Sequence, residues 1–156
     1  MTKGVSVFDE TVQLTNVWLK ELMQDLGWGD RHRAYVALRA TLHAVRDHLS
    51  VDQVAKLGAQ LPMLVRGFYY EGWHAAHKPV HDKTAEGFLA SIWGELNPLG
   101  RGEPVEPTVV AQAVFRLLDR HLSPGEGEHI RQGLPKAVRA LWQAGYEVSP
   151  EIIVPL

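Results

Sequence analysis

The sequence predicts an all-α protein made of two similar tandem four-helix units packed into one domain, with no sheet. Three observations lead there. Residues 48–69 recur 73 positions later at 121–142: His48-Leu49-Ser50 returns as His121-Leu122-Ser123, Leu61-Pro62 as Leu134-Pro135, and Val65-Arg66 as Val138-Arg139. Apolar residues elsewhere recur at spacings of three and four, the period of a half-buried helix. No segment with a strand pattern offers a sheet that the rest of the chain can join.

The first helix is expected over Asp9 to Leu26, where Val12, Thr15, Leu19, Leu22 and Leu26 form a stripe widened by Trp18. Gly27-Trp28-Gly29 ends it, because two glycines in three residues favour a tight turn. Asp30 can cap the second helix by accepting from an orphan backbone N–H. Tyr35, Leu38, Leu42, Val45 and Leu49 form its ridge. Ser50-Val51-Asp52-Gln53 is a capping-box pattern that opens a short third helix with Val54 and Leu57 inward. Pro62 suits the first turn of a fourth helix, whose buried face is expected to be Leu64, Val65, Phe68 and Tyr69.

The second half repeats the order. Thr84 to Leu96 matches the first helix in character, with Phe88, Leu89, Ile92 and Trp93. Residues 97–104 are rich in glycine and proline and read as a connector. Ala111, Phe115, Leu118 and Leu122 stand where Leu38, Leu42, Val45 and Leu49 stood, and Ser123-Pro124-Gly125-Glu126 is again a capping-box pattern. Ala137, Val138, Leu141 and Trp142 close the set. The expected division is unit one over about 8–73, a connector at 74–82, unit two over about 83–145, and a tail at 146–156 whose β-branched residues lie between prolines.

Bulk properties narrow the function. The chain has 156 residues, 46% hydrophobic, enough for one packed core. Residues 1–73 carry eight basic and eight acidic side chains, and residues 74–156 carry eight and ten. Neither half has the basic excess of a nucleic-acid footprint, so nucleic acid is not an expected partner. No cysteine is present, which removes disulfides, thiolate metal sites and cysteine nucleophiles and fits a reducing compartment. Without a signal-like apolar segment or a membrane-length apolar run, a cytoplasmic location and no membrane are expected.

The run Leu61-Pro62-Met63-Leu64-Val65-Arg66-Gly67-Phe68-Tyr69-Tyr70-Glu71-Gly72-Trp73 resembles the signature of the bacterial domain of unknown function 2267 family. So do His32-Arg33-Ala34-Tyr35 with Leu38-Arg39, and Leu134-Pro135-Lys136 with Val138-Arg139-Ala140-Leu141-Trp142. The likeness spans roughly Phe8 to Trp142. It implies a small, soluble, helical bacterial protein of unassigned activity, and it brings no catalytic residues.

His74, His77 and His81 are the candidate ligands for a divalent metal, with Asp82 as an added carboxylate. Lys78-Pro79 interrupts the group, so one helical face cannot present all three, and an exposed loop explains them equally well. Arg66 and Arg139 occupy equivalent places and suit either bidentate binding of an anion or bonding to helix-end carbonyls of their own repeat. Tyr70 and Trp73, three apart, suit a small-molecule pocket, a partner surface or the seam between units. His48 and His121 end their helices, where the helix dipole favours an imidazolium. No residues assemble into a catalytic set: the repeat serines serve as caps, and no nucleophile elbow or phosphate loop is present.

The functional expectation is therefore a non-catalytic interaction or regulatory module that binds a protein partner or a second copy of itself, with no cofactor. The alternative is a metal- or small-ligand-binding protein that uses the histidine loop or a pocket between the repeats.

Overall fold

The computed structural model describes residues 4–96 and 105–146, so the connector read at 97–104 and the tail beyond Tyr146 lie outside the described residues. Within these limits the chain forms α1 (Ser6–Leu26), α2 (Arg31–Asp47), α3 (Val51–Gln60), α4 (Met63–Tyr70), α5 (Ala85–Leu96), α6 (Pro107–His121), α7 (Pro124–Gly133) and α8 (Lys136–Ala144). A single 3₁₀ turn, Ala75–His77, lies between α4 and α5, and no strand is present among the described residues.

The helix ends follow local chemistry. Gly27 stops α1 in the left-handed region at φ 70°, with its N–H returned to the Met23 carbonyl. The Asp30 carboxylate caps α2 by accepting the His32 N–H at 2.9 Å. Ser50 and Gln53 complete both halves of the capping box on α3. At Ser123 only half forms: the hydroxyl accepts the Glu126 N–H at 3.3 Å, and no return bond from the Glu126 side chain is made. The second capping box of the sequence reading is thus a simple serine cap.

α3 and α7 begin 73 residues apart, as do α4 and α8. The packing has the same internal correspondence. α1 packs on α2, α4 and α6, while α5 packs on α6, α8 and α2. α3 meets α7, and α2 meets α6, across the middle. Exchanging the two sets of helices reproduces this pattern, so the first helix of each set lies against the second helix of the other.

α2 is central because it can be approached from nearly every side. Ala34, Ala37, Ala40 and Ala44 are buried together with Leu38, Leu42 and Val45, and alanines let neighbouring helix axes come close. α6 contributes Val110, Ala113, Val114, Leu117 and Leu118. Phe88, Phe115 and Trp142 stack through the second set, with Phe115 and Trp142 centroids 4.3 Å apart and nearly parallel.

Two expected core positions are corrected. Val12 on α1 is 46% exposed and Leu64 on α4 is 42% exposed. Val12 and Leu64 lie at the open groove between α1 and α4, where no further helix among the described residues covers the apolar stripe, while Val65 beside Leu64 is fully buried.

Candidate functional site

The histidine loop is a strap laid over the end of α2. Gly72 turns the chain out of α4 at φ 78°, a conformation that favours glycine. The Val80 N–H then donates to the Asp47 carbonyl at 3.0 Å. Asp82 closes the strap by accepting the Thr84 N–H at 2.9 Å and its hydroxyl at 2.6 Å. Those bonds, the hydroxyl first, hold the Asp82 carboxyl below the usual carboxylate range. His74 and His81 are exposed, and the His77 side chain lies outside the described residues. No group of three histidine, aspartate or glutamate side chains in a metal-holding arrangement occurs among the described residues.

The two repeated arginines behave differently. Arg66 Nε donates to the Gly58 carbonyl at 2.8 Å and Nη2 to the Leu61 carbonyl at 2.9 Å, satisfying the end of α3. Arg139 makes no such bonds among the described residues and instead lines two neighbouring cavities, neither of which Arg66 reaches. The structure does not bring the pair to one site.

Tyr70 and Trp73 are half-buried against the core, with ring centroids 5.8 Å apart. The Tyr70 ring lies over Gly58 so closely that a Cβ there would meet its hydroxyl oxygen at 2.5 Å. Tyr69 is fully buried and donates to the Val54 carbonyl at 2.8 Å, and burial pushes its hydroxyl far above the usual tyrosine range. These aromatics join α4 to α3.

A polar cluster that the sequence reading did not single out ties α2 to α4 and α5. His43 and Arg46 are 6% and 4% exposed. His43 Nδ1 lies 3.0 Å from a Glu95 carboxylate oxygen, and Nε2 lies 2.6 Å from the Phe68 carbonyl. Both partners only accept, so both bonds form together only when both ring nitrogens carry protons. Arg39 bridges Glu71 at 2.7 Å and Glu95 at 3.0 Å. Arg46 donates to the Tyr69 and Glu71 carbonyls at 2.7 and 2.8 Å. The signal was present in the sequence: positions 39, 43 and 46, spaced four and three apart, share one face of α2.

Arg116 stands 73 residues after His43 and acts likewise, pairing with Asp25 through Nε and Nη2, each at 2.9 Å. Its Nη1 reaches the Gly145 carbonyl at 3.1 Å. Each set therefore presents a nitrogen-bearing side chain, His43 or Arg116, to an acid on the first helix of the other. Neither ring nitrogen of His43 is left for an outside molecule.

Beside this cluster, α1, α2 and α4 enclose an apolar groove of about 460 Å³. Leu19, Tyr35, Gly67 and Phe68 line it, and Val12 and Leu64 form its edges. Val5 and Phe8 on α1 are 55% and 57% exposed, and Met63 on α4 is 46% exposed. No helix among the described residues is long and apolar enough to cross a membrane.

No curated protein matches the chain. The family model described as an uncharacterized conserved protein, DUF2267, matches residues 15–141, which takes in the polar cluster, the strap and the groove except for the start of α1. The chain belongs to the DUF2267 family.

Proposed function

We propose that the protein is a non-catalytic interaction module that associates with a second copy of itself through the α1–α4 face. The observation that carries this reading is the concentration of large apolar side chains left exposed there: Phe8 and Val12 on α1, Met63 and Leu64 on α4. Val5, the N-cap of α1, is exposed as well, and Val7, Leu14 and Met63 line a separate cavity between the starts of α1 and α4; exposed apolar residues grouped in this way mark protein–protein contacts. Burying Val12 and Leu64 on a second copy removes apolar area from water, and Glu71 at that groove is already paired with Arg39. The engagement of His43, Arg46, Arg66 and His121 in internal bonds supports a non-catalytic role.

Sedimentation equilibrium tests the proposal. The unaltered chain should show a concentration-dependent dimer with a Kd of about micromolar or tighter. Phe8→Asp and Leu64→Asp, both at exposed positions, should each move the mass to the monomer while leaving the far-ultraviolet circular dichroism unchanged. A monomer at every concentration, or a dimer indifferent to both substitutions, overturns it.

A further inference from the structure

A second cavity, of about 330 Å³, lies where α2 ends, the strap crosses and α8 begins. His48, Lys83, Lys136 and Arg139 line it, with Ser50 and Gln53 on one wall, and no acidic residue lines it among the described residues. Lys83, Lys136 and Arg139 make no ion pair among the described residues. Two acids act on the site electrostatically from outside its lining: Glu128, paired with Arg131, on Arg139, and Asp82, whose carboxylate accepts from Thr84, on His48.

The histidine supplies an independent sign of a ligand. His48 is 4% exposed, and its Nδ1 donates to the Ala44 carbonyl at 2.7 Å. Nε2, on the far edge of the ring, is buried and has no partner. A buried polar atom without a partner is costly, and a bound group that supplies one removes that cost. The first turn of α8 adds the Lys136 and Ala137 N–H groups, which have no i−4 acceptor in their helix and carry the positive end of its dipole.

The comparison with the other set of helices shows that the charges are not required by the packing. Seventy-three residues earlier, Val7, Glu10, Pro62 and Met63 line a smaller cavity of about 210 Å³. There Glu10 stands for Lys83 and Met63 for Lys136, Arg66 is turned onto α3, and His121 is bound to Glu21 at 2.9 Å. Equivalent positions form a cavity in both sets, and only one is cationic.

We propose that this cleft binds a small oxyanion, a free phosphate or the phosphate of a small monoester, held by Lys83, Lys136, Arg139 and the first N–H groups of α8, with His48 at its inner wall. A phosphate carries roughly two negative charges near neutral pH, which three cations more than offset, and the cavity has room for a small substituent beyond it.

Isothermal titration of the full chain with inorganic phosphate and with a simple alkyl phosphate monoester, at fixed ionic strength against chloride, tests the proposal. One saturable site is expected, with the His48 Nε2 resonance shifting on titration. Arg139→Gln and Lys83→Gln, both exposed, should each weaken binding about tenfold, and Lys56→Gln, in an exposed pair with Asp52, should not change it. Tighter binding of the monoester assigns the site to a phosphorylated small molecule, and tighter binding of phosphate assigns it to the free ion. No saturable binding of either below about 10 mM, or binding unaffected by both cleft substitutions, overturns the proposal.

Discussion

Asp119 accepts the Trp142 indole N–H at 2.9 Å, joining α6 to α8 at the place where Arg46 joins α2 to α4. Positions 46 and 119 are equivalent, yet they carry opposite charges. The reason lies one helix away. Tyr69 directs its hydroxyl to α3, which leaves the carbonyls at the end of α4 for a cation to satisfy. Trp142 has only a donor, so its partner has to be an acceptor.

Asp119 also accepts from Arg131 at 2.7 Å and from the Tyr146 hydroxyl at 2.5 Å. Asp119→Ala leaves three donors without their acceptor and should cost about 2 kcal/mol, reduced from a buried-network value by partial exposure. Urea unfolding measures it. A loss below about 0.5 kcal/mol would show that water replaces the carboxylate freely.

Tyr146 should titrate late. Burial, then its bond to Asp119, raises its hydroxyl from the ordinary value near 10 to about 12. A raised folded-state value means that the neutral phenol is favoured by folding. The stabilisation is therefore complete below pH 10 and fades as pH rises through 10 to 12. Phenolate absorbance followed against pH should show a tyrosine titrating at about 12, ahead of the still later Tyr69, and its titration should move earlier in Asp119→Asn.

Gly58→Ala tests the α3–α4 seam. Alanine is the better helix former by about 1 kcal/mol, but its Cβ would press on the Tyr70 ring, backed by Trp73. A net loss of about 1–2 kcal/mol is expected. In a Tyr70→Ala background the same change should become neutral or stabilising, and a double-mutant cycle by chemical denaturation reads the difference.

Arg66→Ala and Arg139→Ala should differ in stability despite equivalent positions. The first removes two charged bonds to the Gly58 and Leu61 carbonyls and should cost about 1 kcal/mol after allowance for exposure. The second removes no hydrogen bond among the described residues and should stay within about 0.5 kcal/mol. Equal losses on thermal unfolding would mean that Arg139 shares the carbonyl-binding role.

Most of the fold is legible in one dimension. The eight helices, the Asp30, Ser50 and Ser123 caps and the glycine stop at Gly27 follow from residues within a turn of one another. Periodicity was less reliable at Val12 and Leu64, because it reports a greasy stripe without saying whether another helix covers it.

The sequence by itself determined the helical elements, their order and their 73-residue echo, since capping and apolar spacing are local properties of the chain. Tertiary packing alone decided what each repeated side chain does. It put His43 against Glu95, turned Arg66 onto α3, and left Arg139 beside His48 in a cleft without acids. These partners come from helices far apart in sequence, and a side chain's charge and hydrogen-bond role depend on the neighbours that folding supplies.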